Sequence, residues 1–145
     1  MFLNKNKTHV ENQNSQPQWY IIDAKDKTLG RLSSKIAYIL KSKNSITYTP
    51  NQAKPIKIII INSKFIHVTG KKREQITYKR HSGRPGGLKE EKFNALQSRI
   101  PNRIIEKAIK GMLPKNTLGR KLFTQLKIYA TDIHPHTAQK PVILN

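Results

Sequence analysis

A chain of 145 residues with 28 Lys plus Arg against 8 Asp plus Glu carries a formal charge of +20, an excess that opposes compaction unless a polyanion faces it. No apolar run approaches the ~18 residues of a membrane span, and no long basic amphipathic helix offers surface insertion, so nucleic acid is favoured over an anionic membrane or an acidic protein. The absence of Cys excludes disulfides and thiolate metal sites. The hydrophobic share is 36%, below the roughly 45–50% of ordinary globular chains; Lys and Arg have taken its place.

Residues 1–17 are rich in Asn, Gln and Lys and end at Pro17, which predicts a disordered tail. They lack an apolar h-region and a transit-peptide composition, so the protein is expected to work where it is made. Trp19 to Ala24 is an aromatic and β-branched run and reads as a strand. Thr28 is placed to cap the helix that follows, Leu29 to Lys41, with Leu29, Leu32, Ile36, Ala37, Ile39 and Leu40 on one face and Arg31, Lys35 and Lys41 on the other. Ser45 to Pro50 reads as a linker or a short extended piece. Ile56 to Asn62 contains four consecutive Ile residues, the mark of a strand covered on both faces. Phe65 to Thr69 reads as a further strand closed by Gly70.

Residues 71–88 change character. They hold Lys71, Lys72, Arg73, Lys79, Arg80 and Arg84 against Glu74 alone, and read as an exposed, partly extended loop. Lys89 to Gln97 is a weaker helix. Ile100 to Leu113 is a strong one, with Pro101 in its first turn; Ile104, Ile105, Ala108, Ile109 and Met112 face inward, and Arg103, Lys107 and Lys110 lie within roughly 60° of each other outside. Gly111 to Asn116 breaks the chain, Leu118 to Phe123 is a short helix and Leu126 to Ala130 the last strand. The expected organisation is a tail (1–17), an α/β domain (18–131) with a short, mostly parallel sheet, and an extended C-terminal tail (132–145).

Enzyme chemistry finds little support. His134 and His136 flank Pro135, but zinc needs a third ligand that only Asp132 offers; RNA contact or tail packing suits these rings better. His81, Ser82 and Asp132 match a triad only by residue type. Thr69-Gly70-Lys71-Lys72 lacks the first Gly and the final Ser or Thr of a phosphate-binding loop. Glu90 and Glu91 are adjacent and read as a solvated face. The loop remains. Its cations are interleaved with Tyr78 and His81, and Gly83, Gly86 and Gly87 permit left-handed backbone and close approach to a ligand. That combination suits an irregular RNA surface.

Lys79-Arg80-His81-Ser82-Gly83-Arg84-Pro85-Gly86-Gly87 resembles the signature of the universal L13 family of large-subunit ribosomal proteins. Trp19 to Ala24 with Leu29-Gly30-Arg31-Leu32, Val68-Thr69-Gly70-Lys71-Lys72, Lys110 to Asn116, His134-Pro135-His136 and Gln139-Lys140-Pro141 match in order and spacing, so the resemblance covers about residues 19–141. It implies a three-layer α/β/α fold with a four-stranded parallel sheet, binding to large-subunit rRNA beside neighbouring ribosomal proteins, a role early in subunit assembly, and no cofactor. The stretch from Arg80 through Arg99, Ile100 and Pro101 to Phe123 is most similar to the cyanobacterial and plastid branch. With abundant Ile, Lys and Asn, this favours a plastid-encoded protein of the stroma, with the bacterial cytoplasm as the alternative. The sequence departs from the family where Ala53, Pro55 and Ile56 replace an acidic turn, and where Thr131 replaces a Gly.

The expected RNA-binding residues fall in four groups. The loop supplies Lys71, Lys72, Arg73, Lys79, Arg80, His81, Ser82, Arg84, Gly86 and Gly87. The later helices supply Arg103, Lys107, Lys110, Lys115, Arg120 and Lys121. Arg31 and Lys35 stand on the first helix, and His134 and His136 near the end. Rival readings are an RNA-processing enzyme, which needs convergent carboxylates, and a free translational regulator that binds mRNA.

Overall fold

The computed structural model describes residues 16–144; the expected disordered tail lies, but for its last two residues, outside the described residues. The elements are β1 (Gln18–Asp23), α1 (Leu29–Leu40), β2 (Ile56–Ile61), α2 (Lys72–Gln75), β3 (Thr77–His81), β4 (Leu88–Lys92), α3 (Phe93–Arg99), α4 (Asn102–Met112), α5 (Thr117–Thr124), β5 (Leu126–Ile128) and β6 (Val142–Ile143). Short 3-10 turns occupy Ser63–Phe65 and Thr137–Gln139.

The class is α/β, as the alternation of strands and helices predicts, with a four-stranded parallel sheet ordered β5-β2-β1-β6. Its interior strand β2 is the isoleucine run, and Ile58, Ile59 and Ile60 are fully buried. Parallel neighbours need crossovers, and α1 makes the one between β1 and β2. Side-chain alternation sends Tyr20, Ile22, Ile56, Ile58, Ile60, Leu126 and Ile128 to one face. There they pack with Leu32, Ile36 and Leu40 of α1, Ile105 and Ile109 of α4 and Leu122 of α5 in one cluster.

The opposite face carries Trp19, Ile21, Ile59 and Tyr129. Because β5 and β6 occupy opposite edges, the chain between them must cross the sheet. His136 lies on this crossing, its ring 5.0 Å from that of Trp19 and 5.9 Å from that of Tyr129, and it shares a 2.9 Å hydrogen bond with the Tyr129 hydroxyl. The segment expected as an extended tail thus supplies the fourth strand of the sheet.

The strand expected over Phe65–Thr69 does not form. Asn62 takes the left-handed conformation, which Asn tolerates, and the 3-10 turn then lifts the chain out of the sheet. Only His67 makes a single parallel bridge, to Thr28. Thr28 stands at the start of α1 without a side-chain cap; its neighbour's amide, Leu29 N–H, donates to the His67 carbonyl instead. The helix expected over Lys89–Gln97 is also displaced: Leu88–Lys92 is a strand and the helix begins at Phe93. In α4, Pro101 sits at the cap position, and Met112 faces solvent rather than the core.

The departures from the family pattern are absorbed locally. Ala53 is buried, the Pro55 carbonyl accepts from Gln18 N–H, and Ile56 opens β2 inside the core. The Thr131 carbonyl accepts from Asn62 N–H at 3.0 Å.

Ile58→Ala should cost about 2–5 kcal/mol of unfolding free energy, since Ile58 is fully buried in the main core and its truncation leaves a cavity there. Ile46→Ser, at a position standing wholly in solvent, should change it by no more than about 0.5 kcal/mol. Urea denaturation of the two variants checks both values.

Candidate nucleic-acid interface

The stretch expected as an open loop is ordered by pairing. After the single turn of α2, β3 and β4 form an antiparallel hairpin in the register Tyr78↔Glu91, Lys79↔Glu90 and Arg80↔Lys89. Its root is fixed by a second small core: Val68, Phe93, Leu96 and Ile104 are buried, with Ile76 and Tyr78 packed against them. The Tyr78 and Phe93 rings stack at 6.4 Å. Burial of this ring pushes the Tyr78 phenol above its ordinary pKa.

The tip is closed by its own backbone. Ser82 N–H donates to the Gly87 carbonyl, Gly87 N–H to the Arg84 carbonyl, and Gly83 N–H to His81 Nδ1. Gly83 and Gly86 have φ of 88° and 70°, the left-handed backbone expected of them. Gly87 serves another purpose. A Cβ there would stand 2.0 Å from Ser82 Oγ and 2.9 Å from the Arg84 carbonyl oxygen, so its close approach is to its own loop.

Period-two alternation divides the hairpin's charges between two faces. On one, Lys79 Nζ meets Glu90 at 2.8 Å. On the other, Tyr78, Arg80, Lys89 and Glu91 turn toward α3 and α4. There they line a groove of ≈ 330 Å³ with Arg99, Arg103 and Lys107. Five cationic side chains line this groove against the Glu91 carboxylate, with Glu90 at its edge paired to Lys79. Lys107 Nζ sits 4.8 Å above the Tyr78 ring. Arg99 clasps Glu91 with two hydrogen bonds of 3.1 and 2.7 Å, and this guanidinium holds the Glu91 carboxyl below its ordinary pKa.

Further along α4 lies a second groove of ≈ 340 Å³, lined by Lys110, Leu113, Pro114, Lys115, Gly119, Arg120 and Phe123. Arg103, Lys107 and Lys110 are spaced by four and three residues on one helix face, about 10 Å from first to last. They therefore join the two grooves into one cationic strip. Two groups read separately in the sequence, the loop and the helix, are brought together.

The remaining expected residues are placed as follows. Lys71, Lys72, Arg73, His81, Ser82, Arg84 and Gly86 are exposed on α2 and the hairpin tip, and Lys121 is exposed on α5. Arg31 and Lys35 are exposed on α1 and line neither groove. His134 and His136 are half-buried in the sheet crossing, with His134 Nδ1 accepting from His136 N–H at 3.2 Å.

Sequence comparison places this geometry in a family. The profile described as ribosomal protein L13 matches residues 17–135. The chain belongs to the ribosomal protein L13 family. Members of that family are structural components of ribosomes and not enzymes. It is 61% identical over 139 residues to "Large ribosomal subunit protein uL13c" of Gracilaria tenuistipitata var. liui, covering 96% of this chain and 97% of that one. It is 62% identical over 125 residues to "Large ribosomal subunit protein uL13" of Thermosynechococcus vestitus, covering 86% and 82%. To the uL13c protein of Pyropia yezoensis it is 57% identical, covering 94% and 96%. The chain thus falls within the cyanobacterial and plastid branch of that family.

Sequence reasoning missed Lys89, Arg99 and Phe123 as parts of these grooves. A usable signal existed for Lys89: Gly86-Gly87 ahead of Leu88-Lys89-Glu90-Glu91-Lys92 marks a hairpin whose returning strand sets Lys89 opposite Arg80.

Because the folded Glu91 carboxyl lies below its ordinary value, the stability contributed by the Arg99 clasp is complete above about pH 4.5. It disappears as pH falls through the depressed folded value. In a carboxyl NMR titration Glu91 should protonate at lower pH than an ordinary glutamate, and Arg99→Ala should move that midpoint upward.

Proposed function

We propose that this chain is a structural component of the large ribosomal subunit that binds large-subunit rRNA and takes part in early subunit assembly. The single observation that carries the reading is the strip in which the hairpin and the outer face of α4 converge, with Arg80, Lys89, Arg103, Lys107 and Lys110 all exposed along it. Helices of ordinary soluble proteins interleave Glu with Lys on such a face. Within α4 Glu106 is the one acidic residue, 4.0 Å from Arg103. A chain of charge +20 gains by laying this strip on phosphates and releasing their counterions. Fixed cations position the protein on the backbone, and the rigid scaffold beneath sets which RNA shape fits.

The names of the relatives, "Large ribosomal subunit protein uL13" and "uL13c", support the same assignment. Red algal and cyanobacterial relatives support a ribosome of a plastid or a bacterium. We favour the plastid stroma, in line with the Ile-, Lys- and Asn-rich composition. Neighbouring large-subunit proteins complete the expected partners.

Filter binding of the purified protein to transcribed large-subunit rRNA tests this. Engagement of six phosphates should give a slope of log K against log salt of about −4 to −5. The combined Arg80→Glu, Arg103→Glu and Lys107→Glu variant should lose at least about a hundredfold in affinity with its circular dichroism unchanged. A flat salt dependence for the native protein overturns the proposal. Recovery of the native protein free of large subunits on sedimentation would favour an mRNA-binding regulator instead.

A further inference from the structure

The two grooves along α4 have different floors. The first contains carboxylates already engaged by Lys79 and Arg99, and its aromatic ring, Tyr78, is covered by Lys107. The second has no carboxylate among its lining residues. Lys110, Lys115 and Arg120 stand exposed at its rim, while Leu113, Pro114 and the half-buried Phe123 form an apolar floor. Lys110 Nζ also lies over the Phe123 ring, but at 6.0 Å from its centre against 4.8 Å for Lys107 over Tyr78.

The groove is also rigid. Gly119 lets α5 sit directly on the turn before it: a Cβ there would be 1.8 Å from the Pro114 carbonyl oxygen. Asn116 ties the same turn to α5 by accepting from Gly119 N–H at 2.8 Å. The floor is therefore held open without a ligand.

A regular RNA duplex keeps its bases stacked inside and gains nothing from an apolar, aromatic floor. An unstacked nucleotide gains from both parts of this site, because its base needs a flat apolar partner and its phosphate a cation. The volume of ≈ 340 Å³ falls in the range of small-ligand pockets. We propose that the groove between the end of α4 and α5 receives one unstacked nucleotide of the RNA, its base against Phe123 and Pro114 and its phosphate among Lys110, Lys115 and Arg120. The site rests on the RNA-binding reading above and adds to it a place where the protein reads a base, not only a backbone.

Phe123→Leu keeps an apolar side chain but removes the ring; Phe123→Tyr keeps the ring. With the full-length protein and transcribed large-subunit rRNA, Phe123→Leu should bind about tenfold more weakly at an unchanged salt slope, the loss of one stacked base. Phe123→Tyr should bind as the native protein does. Irradiation of the native complex at short ultraviolet wavelength should crosslink RNA to the tryptic peptide 122–127, a measurement that holds even if a variant fails to fold. Native affinity in Phe123→Leu, or no crosslink in that peptide, overturns the proposal. So does a Phe123→Leu variant that keeps its affinity for naked rRNA but is lost from sedimenting large subunits, since the groove then holds a neighbouring protein. Should the native protein itself fail to bind rRNA with a steep salt dependence, the RNA-binding reading falls, a result distinct from failure of the groove alone.

Discussion

A strand with isoleucine on both faces cannot leave either face in water, and the architecture follows from meeting that demand at β2. Helices α1, α4 and α5 cover one side. The other is crossed by the segment bearing His136, which lies against Trp19 and Tyr129. With the apolar residues committed to this work, the exterior is left to Lys and Arg. Their mutual repulsion is tolerable because they stand at the surface, screened by solvent and salt, and because the buried isoleucines hold the elements that carry them in place.

The central strand, α1 and α4 were legible because each carries a strong apolar period, and the buried faces of α1 and α4 are nearly those read from the sequence. The parallel sheet was legible too, but not its membership. Phe65–Thr69 has the composition of a strand, yet one left-handed residue, Asn62, diverts it. Val142 and Ile143 were passed over because two residues beside a proline carry no periodic signal; their pairing with β1 is a tertiary event. Leu88-Lys89-Glu90-Glu91-Lys92 misled for a related reason. Lys and Glu favour helices in isolation, and only cross-strand partners such as Lys79 opposite Glu90 make the extended form preferable.

The site divides in the same way. The cations of α4 were readable from helical spacing. That they would face Tyr78 and Arg80 was not, because the juxtaposition depends on the small core of Val68, Phe93, Leu96 and Ile104, whose members are scattered over nearly forty positions. His134 and His136 were read as candidates for RNA contact or packing on residue type alone. The structure shows them packed together at 6.5 Å between ring centres and engaged with Tyr129.

The junction of β6 with β1 has a kinetic side. Tyr20 and Val142 are partners across about 120 positions of chain, and the contact rests on only two paired residues. Closing so large a loop for so small a ladder contributes little until the rest of the sheet exists. The outer strand therefore docks late in folding and is the first to open, which makes that edge the softest part of an otherwise stiff sheet.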